Sequence, residues 1–176
     1  MTDMRYRIPA RQRIARGLFI LMRQQPYRKL QVKQICKAAG VSRMTYYRNF
    51  RSKDDVIKYS FDTDFTVFIQ RVASSHHPSF VTIATIFFRL VKQRRLKMEL
   101  IFDNDLSGLL LDRLEHYISG LIDERVLHTR EQSSKLLIAM IAGGLTEILI
   151  TWTRDGMKTP VASLVIFVSK YMHFRI

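Results

Sequence analysis

The chain has 176 residues, 47% of them hydrophobic, which suits a folded core and excludes an intrinsically disordered chain. Its single cysteine, Cys36, excludes an intrachain disulfide and a cysteine-rich zinc site, and fits a reducing cytosol. The formal net charge of +14 is lopsided: residues 1–59 carry 15 Lys+Arg against 3 acids, and residues 60–176 carry 14 against 12, so the first third calls for a polyanionic partner, nucleic acid or an anionic membrane.

Apolar residues recur at helical spacing along the chain, and alternating strand patterns are absent. A first helix is predicted from Pro9 to Gln24, with Ile14, Leu18 and Leu21 on one stripe; Pro26 ends it. Its apolar run is too short for a secretory signal. A short helix over Val32–Ala39 stops at Gly40. Ser42 caps the next, which runs to Asn49. Ser52, with Asp55 in the capping-box position, opens a longer helix to Ala73. After a polar break at 74–79, helices are predicted over Phe80–Lys92, Lys97–Phe102 and Leu106–Val126. The run Leu136–Ile150, interrupted by Gly143, Gly144, Thr146 and Glu147, falls short of a membrane span. Thr129 and Gln132 form a capping box for a helix to Asp155, Gly156 ends it, and Thr159-Pro160 start a last helix to His173.

Val32 to Phe50 is the informative segment. Two short helices joined by a tight glycine turn make the helix-turn-helix pattern. Cys36 is small enough for the helices to cross closely, and Gly40 accepts the positive φ of the turn. Val41 and Ile35 pack beneath it. Ser42 leaves the second helix's first backbone N–H groups free to face a phosphate. The same residues also read as a plain C-cap followed by an N-cap; the coincidence with the charge maximum favours DNA.

The run from Leu30 to Val56, with Val32, Ile35, Cys36, Ala39-Gly40-Val41-Ser42, Thr45, Tyr47, Phe50 and Lys53 at the marked positions, resembles the N-terminal signature of the TetR/AcrR family. The likeness extends back through Ile14, Leu21, Met22 and Tyr27. Gly143-Gly144-Leu145 with Trp152, Gly156, Met157 and Pro160 is similar to the C-terminal hairpin of a short subgroup, that of dihydroxyacetone-kinase operon regulators, as are Cys36 and Pro26-Tyr27. Gln31, where threonine is usual, weakens the N-cap of the first motif helix or alters a phosphate contact.

The resemblance implies roles that the chemistry permits. Lys33 and Arg43 would read base edges, and Met44 a thymine methyl. Thr45, Tyr47 and Lys53 match phosphate-contacting positions, flanked by Arg48 and Asn49, with Ser42 at the cap. Tyr46 and Phe50 belong to the head's core. For Lys29, Lys37 and Arg51 a solvated face and a DNA contact are equally open. A small-molecule pocket would lie among the helices between Phe61 and Glu147, lined by Phe65, Phe68, Phe87, Phe88, Phe102, Tyr117 and Glu147, although these also read as plain core. The last two helices are too apolar around their circumference for one packed face. They imply a homodimer through Gly143, Gly144, Ile148, Trp152, Leu164 and Val168.

Catalytic signatures are missing: no phosphate-binding glycine loop, no G-x-S-x-G, no H-E-x-x-H. His76-His77 lacks the spacing that puts two ligands on one helical face. The chain therefore reads as neither an enzyme nor a metal or cofactor protein. The expected fold is all-α with about nine helices: a three-helix head over residues 1–52 and a dimerisation and ligand body over 53–176. The expected function is a cytoplasmic transcriptional regulator, a repressor that binds double-stranded operator DNA and is released by a small-molecule effector. Two alternatives stand beside it. One is the same DNA-binding protein acting through a protein partner without a metabolite. The other is a membrane-surface protein using Arg11, Arg13 and Arg16 with Ile14, Leu18 and Phe19.

Overall fold

The computed structural model describes residues 8–75, 78–124, 126 and 135–171. Among them it holds nine α-helices and no strand: α1 Ala10–Met22, α2 Val32–Ala39, α3 Arg43–Asn49, α4 Lys53–Ala73, α5 Phe80–Gln93, α6 Arg95–Asp103, α7 Ser107–Asp123, α8 Lys135–Arg154 and α9 Val161–Tyr171. A 3₁₀ turn, Tyr27–Lys29, follows Pro26, where the sequence pattern predicts only a helix end. The expected capping box of Thr129 and Gln132, and His76, His77, His128 and His173, lie outside the described residues. The chain divides into two compact units, Met1–Ser60 and Phe61–Ile176, so the boundary falls within α4.

In the first unit α1, α2 and α3 pack on one another around Ile14, Leu18, Ile35 and Tyr46, all fully buried. Gly17 is what lets α1 and α2 approach: a Cβ there would sit 3.1 Å from the backbone nitrogen of Ala39. Gly40 has φ +60° and ends α2, as its lack of a Cβ allows. The helix starts are closed by side chains. Gln34 Oε1 accepts from the Gln31 N–H at 2.8 Å, so Gln31 does not leave α2 uncapped, a correction to the expectation of a weakened start. Ser42 Oγ accepts from Thr45 N–H at 3.0 Å, and Ser52 Oγ from Asp55 N–H at 3.1 Å.

In the second unit α7 packs on α8, α5 on α9, and α6 on α8. Phe68, Val72, Ile83, Leu90 and Leu121 form a buried cluster. α8 is long and apolar enough to cross a membrane, which corrects the expectation that this stretch falls short; it is nevertheless one-third buried, with Ile141, Ala142, Leu149 and Trp152 inside the unit. Gly156 (φ +68°) and Met157 (φ +53°) terminate it together, the Met157 N–H reaching the Trp152 carbonyl at 2.8 Å.

Candidate nucleic-acid interface and internal cavity

The head is organised around α3. Tyr46 is fully buried, its hydroxyl donates to the Ser52 carbonyl at 3.0 Å, and burial pushes its pKa up to about 12. Tyr46 fixes the rotation of the helix. With position 46 turned inward, Met44 and Arg48 point away from it, and Arg43 and Tyr47 flank them on the same stripe, at spacing i, i+1, i+4, i+5. All four are exposed, Met44 at 79% and Tyr47 at 53%. An exposed large thioether and an exposed phenol beside two guanidinium groups make a surface that can offer hydrogen bonds and apolar contact together. Lys33 is exposed on α2, and Ser42 is exposed at the α3 start. Thr45 and Asn49 are half-buried and bonded within α3: Thr45 Oγ1 lies 2.9 Å from Ser42 Oγ, and Asn49 Nδ2 donates to the Thr45 carbonyl at 2.7 Å.

Lys53, at a position where a phosphate contact is expected, also reaches back into the head. Its Nζ donates to the carbonyls of Tyr27 and Leu30, at 2.9 and 2.8 Å, and sits 4.5 Å over the Tyr27 ring. Burial holds its pKa below the ordinary lysine value. Two of the three N–H groups of its ammonium are thus spent on the head's own backbone. Beside it, the Tyr27 hydroxyl donates to Asp54. Of the cations on α1, Arg13 is likewise committed, its Nη1 donating to the Gly40 carbonyl at 3.0 Å, and Arg11 lies over the Phe50 and Tyr59 rings at 5.2 and 4.5 Å. The sequence pattern could not separate these cations from exposed Arg43 and Arg48, because their partners stand more than 20 residues away.

The second unit holds a cavity of about 150 Å³ lined by all six of its helices. Phe65, Phe68, Phe87, Phe88 and Tyr117 are on its wall. Phe65 and Tyr117 stack at 3.9 Å, nearly parallel. Phe102 and Glu147 do not line it, two further corrections. Phe102 is buried elsewhere in the core, and Met98, one turn earlier on α6, takes the wall position. Glu147 lies two residues from both Leu145 and Leu149, which face the cavity; at 100° per residue that spacing turns it to the far side of α8, where it is exposed.

The sequence reading missed the charges around this cavity. Asp64, on its lining, is held by Lys97 Nζ at 2.6 Å and Arg94 Nε at 2.9 Å. Asp62 accepts from Arg113 Nε at 2.9 Å and from the Tyr117 hydroxyl at 2.6 Å. Burial lowers the pKa of Lys97 against the opposing pull of Asp64. Two acids spaced i, i+2 in an otherwise apolar-rich helix were the available signal.

The expected dimer residues divide. Trp152 and Val168 are in the core of the single unit, with Trp152 edge-on to Phe88 and its Nε1 donating to the Thr159 carbonyl at 3.0 Å, so neither offers a free surface. Gly143, Gly144, Ile148 and Leu164 are half-buried, and a Cβ at Gly143 would meet nothing within 4 Å. The apolar side chains most exposed on α8 and α9 are Leu136 (81%), Ile166 (70%) and Met140 (67%).

α2, the glycine turn and α3, with its exposed basic face, form a helix-turn-helix unit. The profile of the bacterial regulatory proteins of the tetR family matches residues 15–59, within this N-terminal unit. No curated protein sequence matches the chain. Solved structures share its fold. Lin0861 from Listeria innocua is 16% identical with a TM-score of 0.78, covering 96% of this chain and 94% of that one. The dihydroxyacetone kinase operon activator DhaS is 16% identical at TM-score 0.60, covering 94% of each chain. The regulator FadR from Bacillus subtilis, in complex with stearoyl-CoA, is 20% identical at TM-score 0.55, covering 89% of this chain and 94% of its own.

Proposed function

We propose that this TetR-type regulator is a cytoplasmic homodimeric repressor that leaves its operator when a small molecule occupies the cavity of the second unit. The exposed face of α3 carries the reading. Arg43 and Met44 touch base edges there, with Lys33 from α2, while Tyr47 and Arg48 hold the phosphate backbone and Thr45, Asn49 and the Ser42 cap keep the helix in register. Leu136, Met140 and Ile166, exposed on α8 and α9, favour a second copy of the chain as the cover of that face, with Gly143 and Gly144 permitting close backbone approach. A two-fold dimer presents two α3 helices to a near-palindromic site. An internal apolar cavity supports the metabolite-released form over action through a protein partner alone, and the protein works by binding, not by catalysis.

The test is binding of the purified protein to near-palindromic duplexes from its own flanking DNA. Affinity is expected to fall steeply from low to physiological salt, because several cations displace condensed counterions. Sedimentation at micromolar concentration should show a dimer, and Gly144→Arg a folded monomer with only weak, salt-sensitive DNA affinity. A salt-independent binding constant overturns the DNA reading, and a monomeric wild type overturns the dimer.

A further inference from the structure

We infer that the effector taken by this cavity is a compact organic carboxylate: a benzene-sized apolar body with a short acidic arm whose carboxylate pairs with Arg94. The inference rests on the reading of the cavity as the effector site, and it adds the chemistry of what fits.

Size comes first. The cavity measures about 150 Å³. An apolar cavity of about that volume admits benzene. Pockets for drug-sized ligands begin at about 300 Å³. A long acyl chain is excluded without repacking a wall that already contains a face-to-face Phe65–Tyr117 stack at 3.9 Å. The wall chemistry is as restrictive. Apart from Asp64, Arg94 and Tyr117 the lining is aliphatic, aromatic and, at Met98, thioether. The Tyr117 hydroxyl is already spent on Asp62, at 2.6 Å.

The polar end is set by Arg94. Its Nε donates to Asp64 Oδ1 at 2.9 Å, which pins the guanidinium beside the lining. Its two terminal nitrogens have no bonded partner among the described residues. The side chain is 46% exposed, which puts it at the solvent side of the cavity. Asp64 does not cancel it, because Lys97 takes the other carboxylate oxygen at 2.6 Å. Two cations against one acid leave a net positive charge at this edge. Two adjacent guanidinium nitrogens form the fork that a carboxylate fills with paired hydrogen bonds.

Calorimetric titration of the full-length protein with phenylacetate, its uncharged amide phenylacetamide, and stearoyl-CoA tests the assignment, with operator release followed by fluorescence anisotropy. Phenylacetate is expected to bind about tenfold tighter than the amide, the margin of a charge-assisted pair. Arg94→Gln, which leaves the Lys97–Asp64 bond in place, should bring the two probes to equal affinity. Leu114→Trp, which fills the cavity, should abolish both; if that variant does not fold, Arg94→Gln carries the test. Equal affinities in the wild type overturn the carboxylate assignment, and tighter binding of stearoyl-CoA overturns the size argument. Should phenylacetate bind with the expected preference yet leave the operator bound, the effector reading fails while the ligand class stands. If neither small probe binds the folded wild type, the cavity is not an effector site and both fail.

Discussion

The two units handle charge in opposite ways. In the first, the two acids among the described residues are held by hydrogen bonds: Asp55 accepts from the backbone N–H groups of Arg51 and Ser52, at 3.0 and 2.9 Å, at the start of α4, and Asp54 from the Tyr27 hydroxyl. The cations of α3 stay exposed, and their field reaches outward. In the second, acids and bases are brought together around an apolar interior, Asp64 with Lys97 and Arg94, Asp62 with Arg113. Charge on the exposed face of the head is available to a polyanion; around the body's cavity most charges are paired with one another within the fold. A near-neutral sequence count and an unbalanced one thus describe two different uses of the same side chains.

The largest expected effect tests the body side of this contrast. Asp64→Ala removes the carboxylate bonded to Lys97, whose side chain is only 12% exposed, and leaves this cation without its hydrogen-bonded counter-charge. Breaking such a pair from one side costs about 3–5 kcal/mol, visible as a lower urea midpoint with an unchanged slope. If stability is unchanged, the body does not depend on its internal pairs.

In the head, packing should matter where charge does not. Gly17→Val drives a side chain into the backbone of α2 at Ala38 and Ala39, and overpacking of this kind costs about 1–3 kcal/mol. Thermal unfolding of the variant reads this directly; a wild-type midpoint would mean that α1 and α2 separate freely.

The exposed cations should act on DNA and leave stability alone. Arg43→Ala is expected to lose about 1–3 kcal/mol at one base step and to relax sequence preference there. Tyr47→Phe should weaken all sequences alike, since a phosphate contact carries no base identity. Equal losses on specific and random duplexes for Arg43→Ala would move Arg43 to the backbone class. The smallest effect is that of the cap: Ser42→Ala removes the acceptor of the Thr45 N–H and should cost about 1 kcal/mol in thermal unfolding.

Local signals were legible in the sequence because their causes are local. Gly40, Ser42 and Ser52 fixed the ends of α2, α3 and α4 through φ and through bonds that span three residues. The periodicity around Tyr46 gave the inward face of α3, and hence the exposed one. Orientation of long side chains was another matter. Lys53 matched a phosphate-contacting position, yet the 3₁₀ turn at Tyr27–Lys29 and the following Leu30 present carbonyls that capture it.

The sequence by itself determined that the chain is helical, where most helices start and stop, that a helix-turn-helix opens it, and that its first third is a polycation. Only the tertiary structure decided which apolar residues of α8 and α9 are interior. Trp152 and Val168 are claimed by neighbours within the unit, Leu136, Met140 and Ile166 are left outside, and both sets are apolar. It also decided that Glu147 faces away from the cavity and that Asp64, Arg94 and Lys97 meet at its edge. Those three come together across about 30 residues of chain, and no pattern of period 3.6 encodes a contact at that distance.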